Sequence, residues 1–343
     1  MRSPLNKRLF RELRGEFGKY LVIFILMTLT IGMVSGFLVA DGSMIQAYKE
    51  SFEKYNIENG HFRTEKKMNN AQIQDIENLG IKLYENYYVE EALTNGSTMR
   101  IFKNRDEVNK VCLMKGKMPE KPGEIGIDRM YADNNDLSVG DEIESGGYTW
   151  KITGLVALSD YSALFSNNND SMFDSVKFGV SVVCPEEFDS YKADQLNYSY
   201  AWKYNTEPKN EKAEKDISED LMEDVAKEVT LEEFVPRYTN QAIIFTGDDM
   251  GGDRSMMIVL LYIIIVIMAF VFAITTSNTI RKEANVIGTL RASGYTRGEL
   301  IRHYMAAPVF VTFIGAIIGN IIGYISLNLF LNFFVLIPIS ARI

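Results

Sequence analysis

The chain has 343 residues, a formal net charge of −9 and 47% hydrophobic residues, but these averages hide two populations. Three apolar runs carry no charge, whereas residues 41–254 hold 41 Asp and Glu against 24 Lys and Arg. An acidic block of this size argues against a nucleic-acid partner, and the two histidines leave little material for histidine-based metal sites or catalytic triads.

Residues 1–19 carry six basic residues, and their pattern predicts an amphipathic helix. Leu5, Leu9, Leu13 and Phe17 recur every four residues, while the basic residues occupy other faces. A basic amphipathic helix lies at the membrane interface with its apolar side down. The alternative is a positive flank that only fixes orientation.

Residues 20–40 are predicted to form the first transmembrane helix. The 21 residues carry no charge and are long enough to cross a hydrocarbon core of about 30 Å. The run also exceeds the usual apolar core of a signal peptide, which favours an uncleaved anchor. Gly32 and Gly36 stand four residues apart, a small-residue spacing that lets another helix approach closely.

Residues 41–255 mix short predicted strands and helices, which indicates an α+β domain with a core of its own. The clearest element is a hairpin over 142–158 around Gly146-Gly147. The other expected elements are helices over 43–55 (a stalk), 71–79, 186–193 and 216–229, and strands over 81–93, 99–102, 177–184 and 241–246. The Gly/Asp-rich segment 247–254 is either a hinge or a polar linker.

Two cysteines, Cys112 and Cys184, both fall in this block. They form either one disulfide that braces the domain or two free, buried thiols, and two cysteines alone do not decide between these states.

Two further transmembrane helices are predicted over residues 256–275 and 306–330, followed by a short end segment, 331–343. Small residues spaced four apart indicate helix packing in both, namely Ala269 and Ala273 in the second and Gly315, Gly319 and Gly323 in the third. Asn320 is a polar group in hydrocarbon and should need a partner across a helix interface.

The charged loop 276–305 decides the topology. It holds five Lys and Arg against two Glu, and the tail 1–19 is basic as well. Cytoplasmic flanks carry the excess of Lys and Arg. We therefore expect a membrane α-helical protein with three spans, its N-terminus and the 276–305 loop inside, and the 41–255 domain and the 331–343 end outside.

The sequence lacks the motifs of common catalytic sites. It contains no GxxxxGK[ST] phosphate loop, no HExxH, no CxxC and no GxSxG. The abundant Asp and Glu residues are typical of a solvated surface. We expect no enzyme activity, no metal site and no cofactor in this chain.

Residues 278–308, NTIRKEANVIGTLRASGYTRGELIRHYMAAP, and the following VFVTFIGAIIGNIIGY resemble the FtsX-like permease domain of ABC transporters, the MacB/FtsX class. The family usually has an acidic residue just before the Ile-Gly pair, and this chain has Val286 there. The variant looks most like the larger permeases that carry two such domains.

The acidic block carries a second resemblance, to the MacB-like extracytoplasmic core, in which a GEI strand leads to a VGD turn and a hairpin. The matching positions are Gly116, Pro119, Gly123-Glu124-Ile125, Val139-Gly140-Asp141 and Gly154.

The resemblance implies a multi-pass permease subunit in a bacterial inner or plasma membrane that pairs with a separate ABC ATP-binding subunit. ATP hydrolysis inside would move the domain outside, in export, lipoprotein release or cell-wall regulation, with an unknown substrate or protein partner. The coupling element would be the charged loop, with Arg281, Lys282, Glu283, Gly288, Arg291, Gly294 and Arg297 as docking residues.

The family unit has four spans, and three are found here. The resemblance therefore implies a fragment of a longer permease, completed by its remaining half or by a second copy. The alternative function is a membrane-anchored extracytoplasmic sensor or binding protein without transport.

Overall fold

The computed structural model describes residues 14–335, and for residues 326–335 it describes the backbone alone. The chain divides into two compact units. The membrane unit consists of the described residues up to Met44 and from Met250 onward. The other unit, Ile45–Asp249, is the α+β domain.

All described strands lie within the α+β domain, and the described elements outside it are helices. The helices are α1 (Phe17–Lys54), α2 (Asn70–Glu77), α3 (Arg129–Asn134), α4 (Pro185–Phe188), α5 (Glu211–Glu228), α6 (Gln241–Lys282), α7 (Ala284–Ala292) and α8 (Arg297–Val335). The strands are β1 (Gly60–Thr64), β2 (Ile81–Glu85), β3 (Tyr88–Ala92), β4 (Thr98–Lys103), β5 (Val111–Gly116), β6 (Glu124–Asp128), β7 (Glu142–Ser145), β8 (Tyr148–Leu158), β9 (Phe178–Val183), β10 (Tyr198–Tyr204) and β11 (Leu231–Pro236).

The strands form two sheets. The four-stranded sheet has the order β11-β1-β10-β2 and is antiparallel throughout. The seven-stranded sheet has the order β3-β4-β9-β6-β8-β5, with β7 paired to β8, and the β4–β9 and β6–β8 pairs are parallel. A mixed sheet with short connecting helices confirms the expected α+β class.

The four-stranded sheet has two chemically different faces because successive side chains point to opposite sides of a strand. Phe62, Tyr200 and Trp202 belong to the main hydrophobic core, together with residues of α2 and α5. The alternate positions carry polar side chains, including Arg63 paired in register with Ser199. The polar face is therefore the one that the helices leave uncovered.

The predicted hairpin is confirmed as β7 and β8. Ser145 pairs with Tyr148 across a two-residue turn. Gly146 and Gly147 both have positive φ, 57° and 87°, which is the backbone that such a turn requires. The expected GEI strand is confirmed as well, as β6.

Several predicted boundaries are wrong. Residues 81–93 form two strands, β2 and β3, which join different sheets. The helix expected over 186–193 is limited to α4, and the strand expected over 241–246 is the first turn and a half of α6. A short apolar run does not by itself distinguish a strand from a buried helix segment.

The Gly/Asp-rich segment 247–254 is not a break. It lies inside α6, which continues to Lys282. Gly251 and Gly252 have helical backbone and open space around them, so the predicted hinge is absent from this structure.

The membrane unit contains three helices long and apolar enough to cross a membrane, as expected. Within the described residues these are Phe17–Lys54, Gln241–Lys282 and Arg297–Ile325. The amphipathic helix predicted over 1–19 falls largely outside the described residues, which begin at 14, and most of the 331–343 end lies outside them too.

Of the two states left open for the cysteines, the structure has the free thiols: Cys112 and Cys184 form no disulfide. Cys112 lies on β5, and Cys184 directly follows β9. Strands β6 and β8 separate β9 from β5, so the two positions are three strand spacings, or about 14 Å, apart. A disulfide needs Cα atoms within about 7 Å.

Candidate functional site

The charged segment between α6 and α8 is a built element rather than a loose loop. It contains α7, whose end is a Schellman motif. The Tyr295 N–H donates to the Leu290 carbonyl at 3.2 Å, and the Gly294 N–H donates to the Arg291 carbonyl at 3.1 Å. Gly294 has φ of 97°, a left-handed conformation that glycine adopts at little steric cost.

The start of α8 is capped by its own side chains. Glu299 Oε2 accepts from the Thr296 N–H and from its hydroxyl, both at 2.8 Å. The Glu299 N–H donates to Thr296 Oγ1 at 3.3 Å. This reciprocal pair is a capping box, and together with the Schellman motif it fixes both ends of the turn between α7 and α8.

Helix α7 has no buried residue. Ile287 and Leu290 are half-buried, and the other positions are exposed, including Val286. A Cβ added to Gly288 would meet no atom within 4 Å. The helix therefore presents an open surface that the chain's own described residues do not cover.

The predicted docking cations are exposed. Lys282 lies 4.0 Å from Glu16, while Arg281, Arg291 and Arg297 make no ion pair within residues 14–325. Glu283 differs from the others, because its Oε2 accepts from the Tyr304 hydroxyl at 2.5 Å.

A second polar cluster, which the sequence analysis did not predict, lies where α1 meets α6. Lys19 Nζ donates to Glu16 Oε2 at 2.8 Å and to Thr279 Oγ1 at 2.7 Å. The two helices are far apart in sequence, and only the fold brings these three groups together. The sequence predicts an interfacial helix or a positive flank over residues 1–19, and neither prediction includes this contact.

The glycines predicted for helix packing line the contact between α1 and α8. A Cβ on Gly323 would stand 2.6 Å from the Gly32 carbonyl oxygen, and one on Gly319 would stand 2.9 Å from the Thr28 carbonyl oxygen. Gly36 faces Gly323 in the same way, at 3.1 Å from its carbonyl oxygen. Backbones this close leave no room for side chains at these positions.

Two polar contacts lie along the same helix pair. Ser35 Oγ donates to Asn320 Oδ1 at 2.9 Å, and Asn320 Nδ2 donates to the Ala316 carbonyl within its own helix. Thr28 Oγ1 lies 3.5 Å from the Gly315 carbonyl oxygen. Asn320 thus has the partner across a helix interface that its position in an apolar run requires.

Ala269 and Ala273, which are predicted to contact another helix, lie on α6. Both are exposed and line an open apolar groove of about 1040 Å³ that also contains Pro308 and Phe313 of α8. The face of α6 that meets its neighbours carries larger side chains, which fill the space between helices better than alanine. They are Ile264, Met268, Val271 and Phe272.

The segment between α6 and α8 is exposed and positively charged. Within residues 14–335, no three His, Cys, Asp or Glu side chains come together as a metal site. What the segment offers is a short rigid helix, exposed cations and an open glycine, which suit contact with another protein.

A family model matches part of the chain. The family model described as FtsX-like permease C-terminal matches residues 258–343. None of the curated proteins searched matches the chain.

Two solved structures are similar to this chain. The periplasmic region of MacB from Actinobacillus actinomycetemcomitans is 10% identical, covers 50% of this chain and 86% of its own, and has a TM-score of 0.28. The extracellular domain of the noncanonic ABC-type transporter YknZ from Gram-positive bacteria is 9% identical, covers 48% and 95%, and has a TM-score of 0.25.

The matched region, residues 258–343, contains most of α6, all of α7 and the whole of α8. It therefore includes both the exposed α7 segment and the glycine-lined helix. Over these residues, a quarter of the chain, the protein is similar to the FtsX-like permease family.

Proposed function

We propose that this chain is a transmembrane permease subunit of an ABC transporter and that α7, with its flanking cations, docks a separate ATP-binding subunit. One observation carries the proposal: α7 is fixed at its C-terminal end by the Schellman motif and yet buries none of its nine residues. A helix held in place between two apolar helices, with no role in its own core, is suited to receive a partner.

The chemistry of α7 indicates what the partner's surface should be. Arg281, Lys282, Arg291 and Arg297 are exposed, so the facing surface should be acidic. Val286 stands where the family usually has an acid, which makes the first turn of α7 apolar rather than charged. The open space over Gly288 allows the partner's side chains to reach the helix backbone.

The positive segments also support an orientation. Lys and Arg concentrate in cytoplasmic flanks, so α7 would lie in the cytoplasm, where ATP is available. The α+β domain would lie on the outer side of a bacterial inner or plasma membrane. Helices α1 and α6 would carry motion from the ATPase to that domain, since each includes residues of both units.

The chain contributes no hydrolysis of its own under this proposal. ATP is consumed in the partner, and this chain converts the movement into export, lipoprotein release or regulation of a cell-wall enzyme. A second permease half or a second copy completes the assembly within the bilayer.

The test is capture of the partner from native membranes. The tagged full chain is solubilised in mild detergent, and co-purifying ATP-binding proteins are identified by mass spectrometry. We expect the wild-type chain to retain one ABC ATPase. The charge reversals Arg291→Glu and Arg297→Glu should lower the amount of captured ATPase about tenfold or more, because removing close interfacial charge pairs changes affinity strongly. Lys212→Glu is the matched control, since Lys212 is exposed on α5 in the α+β domain.

Equal capture by the arginine variants and the control would remove α7 as the docking element. Absence of any ATPase with the wild-type chain, in membranes where the chain is intact, would remove the permease proposal. The anchored sensor or binding protein would then be the better description.

A further inference from the structure

A polar cleft of about 170 Å³ opens in the α+β domain, lined by residues of both sheets. Its walls come from β1 and β10 of the four-stranded sheet, from β3 and β4 of the seven-stranded sheet, and from the start of α6. The volume lies below the 300–1,000 Å³ typical of drug-sized pockets, so only a small ligand fits.

The charged groups around the cleft are paired with one another. The pairs are His61 with Glu58 at 2.6 Å, Arg100 with Glu90 at 2.6 Å, and Arg105 with Asp160 at 2.7 Å. Because each acid faces a base, the cleft carries no large excess of either charge. A ligand of high charge would be uncompensated there.

Three buried side chains that line the cleft have hydrogen-bond donors without an acceptor in the described chain. Asn86, Ser199 and Asn240 are 6%, 4% and 5% exposed, and all three line the cleft. The Oδ1 atoms of the two asparagines are used, accepting from Arg105 and from the Ala242 N–H. Their Nδ2 groups and the Ser199 hydroxyl have no partner among residues 14–325.

The two buried carboxylates of the cleft, Glu58 and Asp160, are already occupied. The two oxygens of Glu58 accept from His61 and Asn109, and both oxygens of Asp160 accept from Arg105. A buried donor without an acceptor costs about 1–3 kcal/mol. A ligand that displaces water from the cleft therefore has to supply acceptors to the three free donors.

A carboxylate meets this need, because it is an acceptor-only group with two oxygens and about four lone-pair sites. A single negative charge also suits a cleft whose own charges are balanced, whereas sulfate or phosphate would bring a second one. Burial alone would lower the pKa of His61, but the Glu58 carboxylate outweighs this and raises it. The pair of His61 and Glu58 is therefore favoured as an ion pair, which brings no net charge to the cleft.

We propose that the polar cleft binds a small carboxylate, held by the free side-chain donors of Asn86, Ser199 and Asn240. The carboxylate belongs either to a simple acid or to an amino acid, whose ammonium group would face Glu233 on β11 at the edge of the cleft. This inference does not depend on the docking of an ATPase.

The test uses the full chain in detergent micelles and saturation-transfer NMR, which detects weak binding by small molecules. The probes are acetate, glycine and methylammonium, which carry the carboxylate alone, both groups and the ammonium alone. The main variant is Asn240→Asp, which keeps the oxygen that accepts from Ala242 and replaces the donor by an acceptor. Its matched control is Asn210→Asp, because Asn210 Oδ1 likewise accepts from the N-terminal turn of a helix, α5, but lies outside the cleft.

We expect acetate, glycine or both to bind the wild-type chain and the Asn210→Asp variant. Binding should weaken about tenfold or more in Asn240→Asp, because hydrogen bonds to charged groups are the strong ones. Ser199→Ala should weaken binding in the same direction and protects the test if Asn240→Asp misfolds. Binding of methylammonium alone, equal binding by both asparagine variants with Ser199→Ala unchanged, or no carboxylate binding at all would each overturn the proposal.

Discussion

Ser35 on α1 and Asn320 on α8 form a hydrogen bond of 2.9 Å between two apolar helices. The bond lies beside the glycine contact, where Gly36 and Gly323 bring the helix backbones together. Close backbones allow short side chains to reach across, and the hydrogen bond satisfies a polar group that lipid cannot. The two features support the same helix pair.

We expect a measurable coupling between Ser35 and Asn320. Ser35→Ala and Asn320→Leu should each destabilise the chain, and the double variant should be more stable than the sum of the two effects predicts. Hydrogen bonds between membrane helices average about 0.6 kcal/mol and reach about 1.7 kcal/mol. A double-mutant cycle of unfolding free energies in micelles measures the coupling, and strictly additive effects would contradict it.

The glycines of α8 should tolerate no larger residue. Gly323→Val places side-chain atoms where the Gly32 carbonyl lies, so we expect separation of α1 from α8 and a clear loss of thermal stability in detergent. The matched control is Gly18→Val, because Gly18 lies on α1 with no atom within 4 Å of an added Cβ. Equal melting temperatures for the two variants would show that the glycine contact does not hold the helices together.

The membrane part of the fold could be predicted because its signals are local and long. An uncharged run of 20 residues and glycines four apart define a span and its packing face without reference to the rest of the chain. The hairpin around Gly146-Gly147 is local too. The strand expected at 241–246 failed for the opposite reason, since a six-residue segment with four apolar residues fits a strand and the start of a long helix equally well.

The polar cleft could not be predicted, because its parts are distant in sequence. Asn86, Ser199 and Asn240 come from three separate segments, and none stands in a recognisable motif. Arg63 and Ser199 look like solvated positions of a strand until the fold places a second sheet near them. The strand β10 was detectable, however, since Tyr198–Tyr204 is rich in aromatic residues that favour strands.

The two glycines of the α7 segment should separate folding from docking. Gly294→Ala forces a side chain into a left-handed conformation, which costs about 1–2 kcal/mol, and should lower the melting temperature. Gly288→Ala lies within the helix, where alanine is favoured by about 1 kcal/mol, and should not. If α7 docks an ATPase closely at Gly288, a larger residue there, Gly288→Leu, should lower capture of that subunit while the chain stays folded.

The melting temperatures and the ATPase capture of the three variants, Gly294→Ala, Gly288→Ala and Gly288→Leu, check these expectations. A stable Gly294→Ala variant would contradict the role of the Schellman motif. Full ATPase capture by Gly288→Leu would show that the partner does not approach that face of α7.

Asp128 should make the α+β domain less stable as pH rises. It is buried at the start of α3, and burial raises its pKa from 3.8 to about 6, although the N–H groups of Met130 and Tyr131 donate to it and lower the pKa in part. The folded state therefore binds a proton more tightly than the unfolded state. The stability that this proton contributes is present below about pH 4 and is lost as pH rises to about 6.

Asp128→Asn should remove this slope, because the amide keeps Oδ1 as the cap acceptor and does not ionise. Asp170 provides the opposite case: the Ser166 hydroxyl lowers its pKa, so its contribution is present above the unfolded pKa and is lost as pH falls. As pH rises from 4 to 6, we expect the wild type to lose unfolding free energy relative to Asp128→Asn. As pH rises through the acid range, we expect the wild type to gain unfolding free energy relative to Asp170→Asn. Both tryptophans of the chain, Trp150 and Trp202, lie in the α+β domain, so their fluorescence follows its unfolding in the full chain. If the difference in unfolding free energy between wild type and Asp128→Asn does not change with pH, burial does not hold a proton on this carboxyl group.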